Sequence, residues 1–289
     1  MFLGKKFFFS ALAVIVLIAL LILRERPISK ENEASTELTL YCAAAVKKPI
    51  LKVIESYQKR CSVKINIEYG GSGSLLSRLS ISPIGDLFIA ADGSYTDLAD
   101  QKGLILEQIP LATMTPVIAV AENNPKNIYN SLDLARDPIR VSLGNPSVSS
   151  IGKQTKYYFE KAGLWARIDQ NVLKNGVYKP TVPEVGNDLL LGAVDAVVVW
   201  DAIAAQLNDI EIIRPIEFAD ANQEVTVGVL KSSKNPSQAL ELARFLKSKT
   251  GKEIFEENGY RSLLANDSNS IDSRLSASLE FTAPSTHKN

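Results

Sequence analysis

The sequence predicts an α/β protein made of two doubly wound units. Three observations carry that expectation. Strand-like and helix-like patterns alternate through most of the chain, as in βα units built on parallel strands. The loops of least ordinary chemistry all fall at strand-to-helix junctions: "AAAV" at 43–46, "GGSGS" at 70–74, "NPSVSSIG" at 145–152 and "WDA" at 200–202. The run "IRVSLGNP" at 139–146 then begins a second unit of the same kind. In open α/β sheets ligands bind at the carboxyl ends of the strands, so two such units facing each other make a cleft lined by helix N-termini.

The elements follow in order. "LTLYC" at 38–42 reads as a strand, and a helix follows with Ile50, Val53, Ile54 and Tyr57 on one face and Pro49 in its first turn. A strand over 63–69 leads through the GGSGS loop into a helix, and "DLFIAA" at 86–91 is an apolar, buried strand. After a helix near 94–102, "MTPVIAVAENNP" at 114–125 reads as one long strand ending in a turn. The second unit has strand 139–146, helices near 152–163 and 184–193, the strand "AVDAVVVW" at 193–200, apolar but for Asp195, and "IEIIRP" at 210–215. A strand "VTVGVL" at 225–230 and helices over 236–248 and 251–258 close the pattern.

The ends read differently. Lys5 and Lys6 precede an uncharged apolar run from Phe7 to Leu23, which is long for a signal-peptide core and close to the minimum for crossing a bilayer. Arg24, Glu25, Arg26 and Pro27 follow at once, with no small-residue cleavage site, so residues 1–27 are expected to be a retained membrane anchor in preference to a cleaved signal. Residues 28–36 read as a polar tether and 265–289 as a disordered tail.

Composition excludes several classes. The 32 basic and 32 acidic residues cancel, so no electrostatic footprint for nucleic acid is present. The single histidine is His287, in the polar tail, so a serine nucleophile has no base within reach. Cys42 and Cys61 are the only cysteines. A helix joining two parallel neighbours would put them at opposite ends of their strands, too far apart for a disulfide, so two free thiols with Cys42 buried are expected. Two cysteines are also too few to suggest a metal centre.

The stretch "YGGSGSLLSRL" at 69–79 is the sharpest motif. It lacks the Lys-Ser/Thr pair of a P-loop. It also puts Leu76 where a dinucleotide fingerprint needs its third glycine, and Ser74 where a nucleophile elbow needs its last. What remains is a glycine turn that lets the backbone approach a ligand, followed by a helix whose unpaired N–H groups and dipole hold an anion without transforming it. An ordinary strand-to-helix turn is the alternative.

Six segments in series carry a family resemblance: "LYCAAAVKKPI", "YGGSGSLLSRL", "GDLFIAADGSYTDLADQKGLI", "VIAVAENNP", "VSLGNPSVSSIGKQTKYYFEKAGLW" and "GAVDAVVVWDAIA". In this order and spacing the chain resembles the periplasmic solute-binding proteins of ABC transporters, specifically the molybdate-binding branch, over about residues 37–263. The resemblance implies a type II binding-protein fold: two doubly wound α/β lobes joined by crossing hinge strands. One lobe would be 37–115 plus 225–264, the other 116–224. It implies capture of a small tetrahedral oxyanion, molybdate or tungstate, with sulfate or another small anion as alternatives, and no catalysis. A ligand-sensing receptor domain of the same fold is the competing reading.

The family's site maps onto this sequence with departures. Its first-strand serine falls on Ala45, which keeps only a main-chain N–H, and its second-loop serine falls on Ser72. Two further contacts fall on Ile151 and Val185, through main-chain N–H groups. A tyrosine becomes Trp200, whose indole N–H only donates; an aromatic plug between the lobes is the other reading of Trp200. Gly71, Gly73 and Ser74 support the loop, while Asp86 and Asp92 are expected to be turn and capping residues. The resemblance further implies an ABC permease as partner, a periplasmic or extracytoplasmic location with membrane contact through the N-terminal segment, a monomer, and neither cofactor nor protein-coordinated metal.

Overall fold

The computed structural model describes residues 36–263, and all but the first of these belong to one compact unit beginning at Glu37. The anchor or signal over 1–27, the tether apart from Thr36, and the tail over 265–289 lie outside the described residues. β1 (Thr36–Ala43) ends in a 3-10 turn (Ala44–Val46) that runs into α1 (Lys47–Gln58), whose buried face is Pro49, Ile50, Val53, Ile54 and Tyr57. β2 (Val63–Gly70) leads into α2 (Ser72–Ile81), and β3 (Leu87–Ala90) into α3 (Gly93–Gln101). β4 (Ile105–Met114) and β5 (Pro116–Ala121) follow, separated only by Thr115.

The second half begins with β6 (Val141–Gly144), α4 (Ser150–Lys161), α5 (Trp165–Asn175), β7 (Val177–Lys179) and α6 (Val182–Leu190). β8 (Ala196–Trp200), buried throughout, then feeds the single turn α7 (Asp201–Ala204), followed by β9 (Ile210–Ile213). β10 (Gln223–Leu230), α8 (Pro236–Lys247) and α9 (Lys249–Glu257) complete the described chain.

These strands form two five-stranded sheets, ordered β2-β1-β3-β10-β4 and β7-β6-β8-β5-β9, and each sheet is the centre of one α/β lobe. The sheets are mixed, which corrects the purely parallel expectation. β1 is parallel to β3, and β6 to both β7 and β8, but β10 runs antiparallel to β3 and β4, and β5 antiparallel to β8 and β9. The reversed strands are those at which the chain passes from one lobe to the other: β5 enters the second sheet, and β10 returns to the first.

The strand expected over 114–125 is therefore β5, entered only after a crossing at Thr115, while Met114 closes β4 in the other lobe. β4 itself was not expected. Pro110 has no N–H for the ladder and marks a bulge: Val225 faces Ala112 and Thr226 faces Pro110, so Leu111 is skipped. α5 was also missed. Its inward face, Ile168, Asn171 and Val172, is interrupted by an asparagine that is buried because its amide donates to the carbonyls of Leu134 and Ile139, each at 2.8 Å. Cys42 is buried, Cys61 is partly exposed, and both are free thiols. Asp86 accepts from the Thr39 N–H at 2.7 Å, and Asp92 caps α3 by accepting from the Ser94 N–H at 2.9 Å. Both aspartates are thus turn and cap residues.

Candidate functional site

Four chain segments converge where the two lobes face each other. From the first lobe come the turn after β1 (Ala43 to Ala45) and the β2–α2 loop (Gly70 to Ser72); from the second come Ser149 and Ser150 before α4, and Thr181 and Val182 before α6. They enclose a cavity of about 10 Å³. That is room for about one water-sized sphere, so a larger guest needs the lobes to part slightly, whereas pockets for drug-sized ligands run to about 300–1,000 Å³. No side chain in the lining carries a charge.

Each segment is the N-terminus of a helix or 3-10 turn, and none of the four is capped by a side chain. The N-cap positions are Ala43, Gly71, Ser149 and Thr181, and no side-chain cap bond is present at any of them. The Thr181 hydroxyl instead donates to Glu184 at 2.6 Å. Among the other helices, α3 is capped by Asp92 and α9 by Ser248, while α1, α5, α7 and α8 also start without a side-chain cap, so it is the convergence of these four starts that sets them apart. A helix start leaves several N–H groups without an intrahelical partner and carries a partial positive charge. Four such starts around an uncharged cavity make a cage of donors, suited to an anion.

The expected site residues divide into three sets. Ala45, Gly71 and Ser72 line the cavity. Ser72 is 1% exposed and is the first residue of α2, with Gly71 at the N-cap position. Its Oγ accepts from the Ala91 N–H at 3.2 Å, which leaves the hydroxyl proton to be donated elsewhere. Ile151 is fully buried in the first turn of α4, directly after the lining residue Ser150. Val185 lies a turn further into α6, with its N–H given to the Thr181 carbonyl at 3.3 Å, so the structure brings Val182 to the cavity wall in its place.

Gly73 and Ser74 do not line the cavity. Their N–H groups donate across the cleft to the Val148 carbonyl, at 3.0 and 3.4 Å, so these donors join the lobes and do not form part of the cage. Gly71 serves the same closure: a Cβ there would stand 2.3 Å from the Val148 oxygen and 2.7 Å from the Pro180 oxygen. Trp200 closes β8 with its side chain fully buried, and its indole Nε1 is a buried donor with no partner among the described residues. Trp200 does not line the cavity in this structure. Sequence reasoning missed Ser149, Ser150 and Thr181; the repeated hydroxyls of "SVSSIG" were the available signal.

Two side-chain contacts close the cleft beside this cage. Lys153 Nζ donates to Ser94 Oγ at 2.6 Å and stands 4.6 Å from the centre of the Tyr95 ring, and the Gln154 amide donates to the Asp92 carboxylate. Burial, together with the neighbouring Asp92 charge, pushes the Tyr95 phenol up to about 12.

Two lobes, crossing strands and a donor-lined cleft between them define a ligand-capturing protein. The chain belongs to the bacterial extracellular solute-binding proteins, whose family model matches residues 38–261. It is accordingly a binding protein and not an enzyme. A Haemophilus influenzae protein described only as a binding protein is 30% identical over 226 residues, covering 78% of this chain and 91% of its own length. The molybdate-binding protein ModA of Mycobacterium tuberculosis is 25% identical, covering 79% of this chain and 86% of its own. Among solved structures, the periplasmic molybdate-binding protein of Azotobacter vinelandii superimposes with a TM-score of 0.68 over 78% of this chain and all of its own, at 17% identity, a likeness of fold.

Proposed function

We propose that the protein captures a small tetrahedral oxyanion, molybdate or tungstate before sulfate, and delivers it to an ABC permease on the outer face of the cytoplasmic membrane. The observation that carries this reading is the convergence of four uncapped helix or turn starts on one small cavity with no charged lining. Neutral donors can hold a fully deprotonated anion, whereas a protonated one also needs an acceptor. Relatives named as molybdate-binding support the choice among anions. The Ser72 hydroxyl and the main-chain N–H groups near Ala45 and Ile151 supply the cage, and the Trp200 indole, a buried donor without a partner among the described residues, is a further donor if a guest shifts the wall towards it.

In this reading the protein acts as a monomer held by residues 7–23, and the lobes hinge where the chain crosses at Thr115 and ahead of β10. The test is a thermal-shift panel of molybdate, tungstate, sulfate and phosphate on the full-length protein in detergent. A ligand at 100 times its dissociation constant adds about 2.7 kcal/mol of stability. Stabilisation by molybdate and tungstate at lower concentrations than sulfate is the expected result. Stabilisation by none of the four would overturn the oxyanion reading.

A further inference from the structure

The contacts beside the cage join the first turns of two helices on opposite lobes. α3 brings Asp92, Ser94 and Tyr95; α4 brings Lys153 and Gln154. Asp92 is 1% exposed and Gln154 8%, so this polar pair is buried in the closed cleft. One carboxylate oxygen of Asp92 caps α3 and the other accepts from Gln154, while Lys153 reaches Ser94 and the face of Tyr95. None of these residues lines the cavity.

We propose that Gln154 and Lys153 form a latch against Asp92 and Ser94, a pair of positioning residues that holds the lobes together and sets the rate at which the anion leaves. The geometry fixes the direction of the effect. Asp92 caps α3 from within its own lobe whether the cleft is open or closed, but its bond to Gln154 spans the lobes and exists only when they meet. The same holds for Lys153 and Ser94. The latch and the cage share one helix start, since Ser150 lines the cavity and Lys153 and Gln154 stand three and four residues further on. A guest that draws α4 inward therefore brings the latch into register.

The inference rests on the oxyanion reading for its kinetic half only. The test uses Lys153→Ala and Gln154→Ala, singly and together, with Gln154→Glu to set carboxylate against carboxylate. Amide hydrogen exchange without added anion is the deciding measurement, read at Gly73 and Ser74, whose N–H groups bond to Val148 across the cleft. The double variant and Gln154→Glu are expected to exchange faster at these two amides, with β8 unchanged. Unchanged exchange at Gly73 and Ser74, or an equal rise through β8 from general loosening, overturns the latch. Stopped-flow release of molybdate from the full-length protein is expected to be about tenfold faster or more in Gln154→Ala, with association little altered. If the wild-type protein binds none of molybdate, tungstate, sulfate and phosphate, the oxyanion reading falls and exchange alone decides the latch.

Discussion

The phenol of Tyr260 donates to the main-chain carbonyl of Ala45, tying the end of the described chain to the first turn of the candidate site, 215 residues earlier. Tyr260 is 2% exposed, and burial is the main cause that pushes its phenol well above the ordinary tyrosine range; the charges of Cys42 and Asp201 add to it. Tyr95 is raised as well, to about 12.

The sign of the pH dependence follows. A folded-state pKa above the unfolded value of about 10 gives stability that is fully present below pH 10 and is lost as the pH rises through the folded value. Tyrosinate absorbance and far-ultraviolet circular dichroism, followed together in an alkaline titration, should show the buried tyrosines ionising only as the helices melt. Tyr260→Phe should make stability less steeply dependent on pH above 10. Full tyrosine ionisation with intact helices would contradict the burial argument.

Ser72→Ala removes one donor to the guest and one acceptor for the Ala91 N–H. A hydrogen bond to a charged group contributes about 1.5–3 kcal/mol, so anion affinity should fall roughly 10- to 150-fold in calorimetric titration. The orphaned buried N–H should also lower unfolding stability by about 1–3 kcal/mol. Lost stability with unchanged affinity would mean that Ser72 serves Ala91 alone.

Gly71→Ala should separate closure from folding. Its φ of −69° is one that alanine adopts freely, and the nearest atoms its methyl would meet are the Val148 and Pro180 carbonyls of the other lobe. Opening relieves that contact. Overpacking costs about 1–3 kcal/mol, equivalent to a 5- to 150-fold weaker dissociation constant, while the melting temperature without ligand should hold. Scattering should show a larger radius of gyration at saturating anion than for the wild type.

Trp200→Phe deletes a buried donor that has no partner among the described residues. The unliganded protein should lose about 0.5–3 kcal/mol to the space left by the smaller ring, while anion affinity falls about tenfold through the loss of a hydrogen bond. Unchanged affinity, measured by the same titration, would make the indole a plug between the lobes.

Much of the fold was legible because the buried strands announce themselves. "LFIA" and "AVVVW" are apolar throughout, and both are covered on two faces. Pro110 hid β4, and Asn171 broke the apolar stripe of α5; each is a local exception whose compensation comes from elsewhere in the fold. The strand pattern did not show the break at Thr115, because Met114 and Pro116 look continuous in sequence and differ only in which sheet receives them; the lobe boundary after residue 115 came from the family resemblance alone. In the site, Ala45, Gly71 and Ser72 were legible as loop chemistry. Ser149, Ser150 and Thr181 were not, because their place in the wall depends on how two lobes meet. That same contact engages the N–H groups of Gly73 and Ser74, two residues expected to support the loop, in bonds between the lobes.

The position of β10, wedged between β3 and β4, also sets an order of assembly. All five strands of the second lobe lie within 116–213, so that lobe has its whole sheet once this stretch has been synthesised. The first lobe begins earlier and finishes later. Until residues 223–230 emerge, β4 has no neighbour in its sheet, and one edge of β3 stays open. Domains generally fold as units during synthesis, and unpaired strand edges expose a chain to aggregation. The lobe that starts the chain must therefore wait, with its sheet split, for a strand made more than a hundred residues after β4 begins at Ile105.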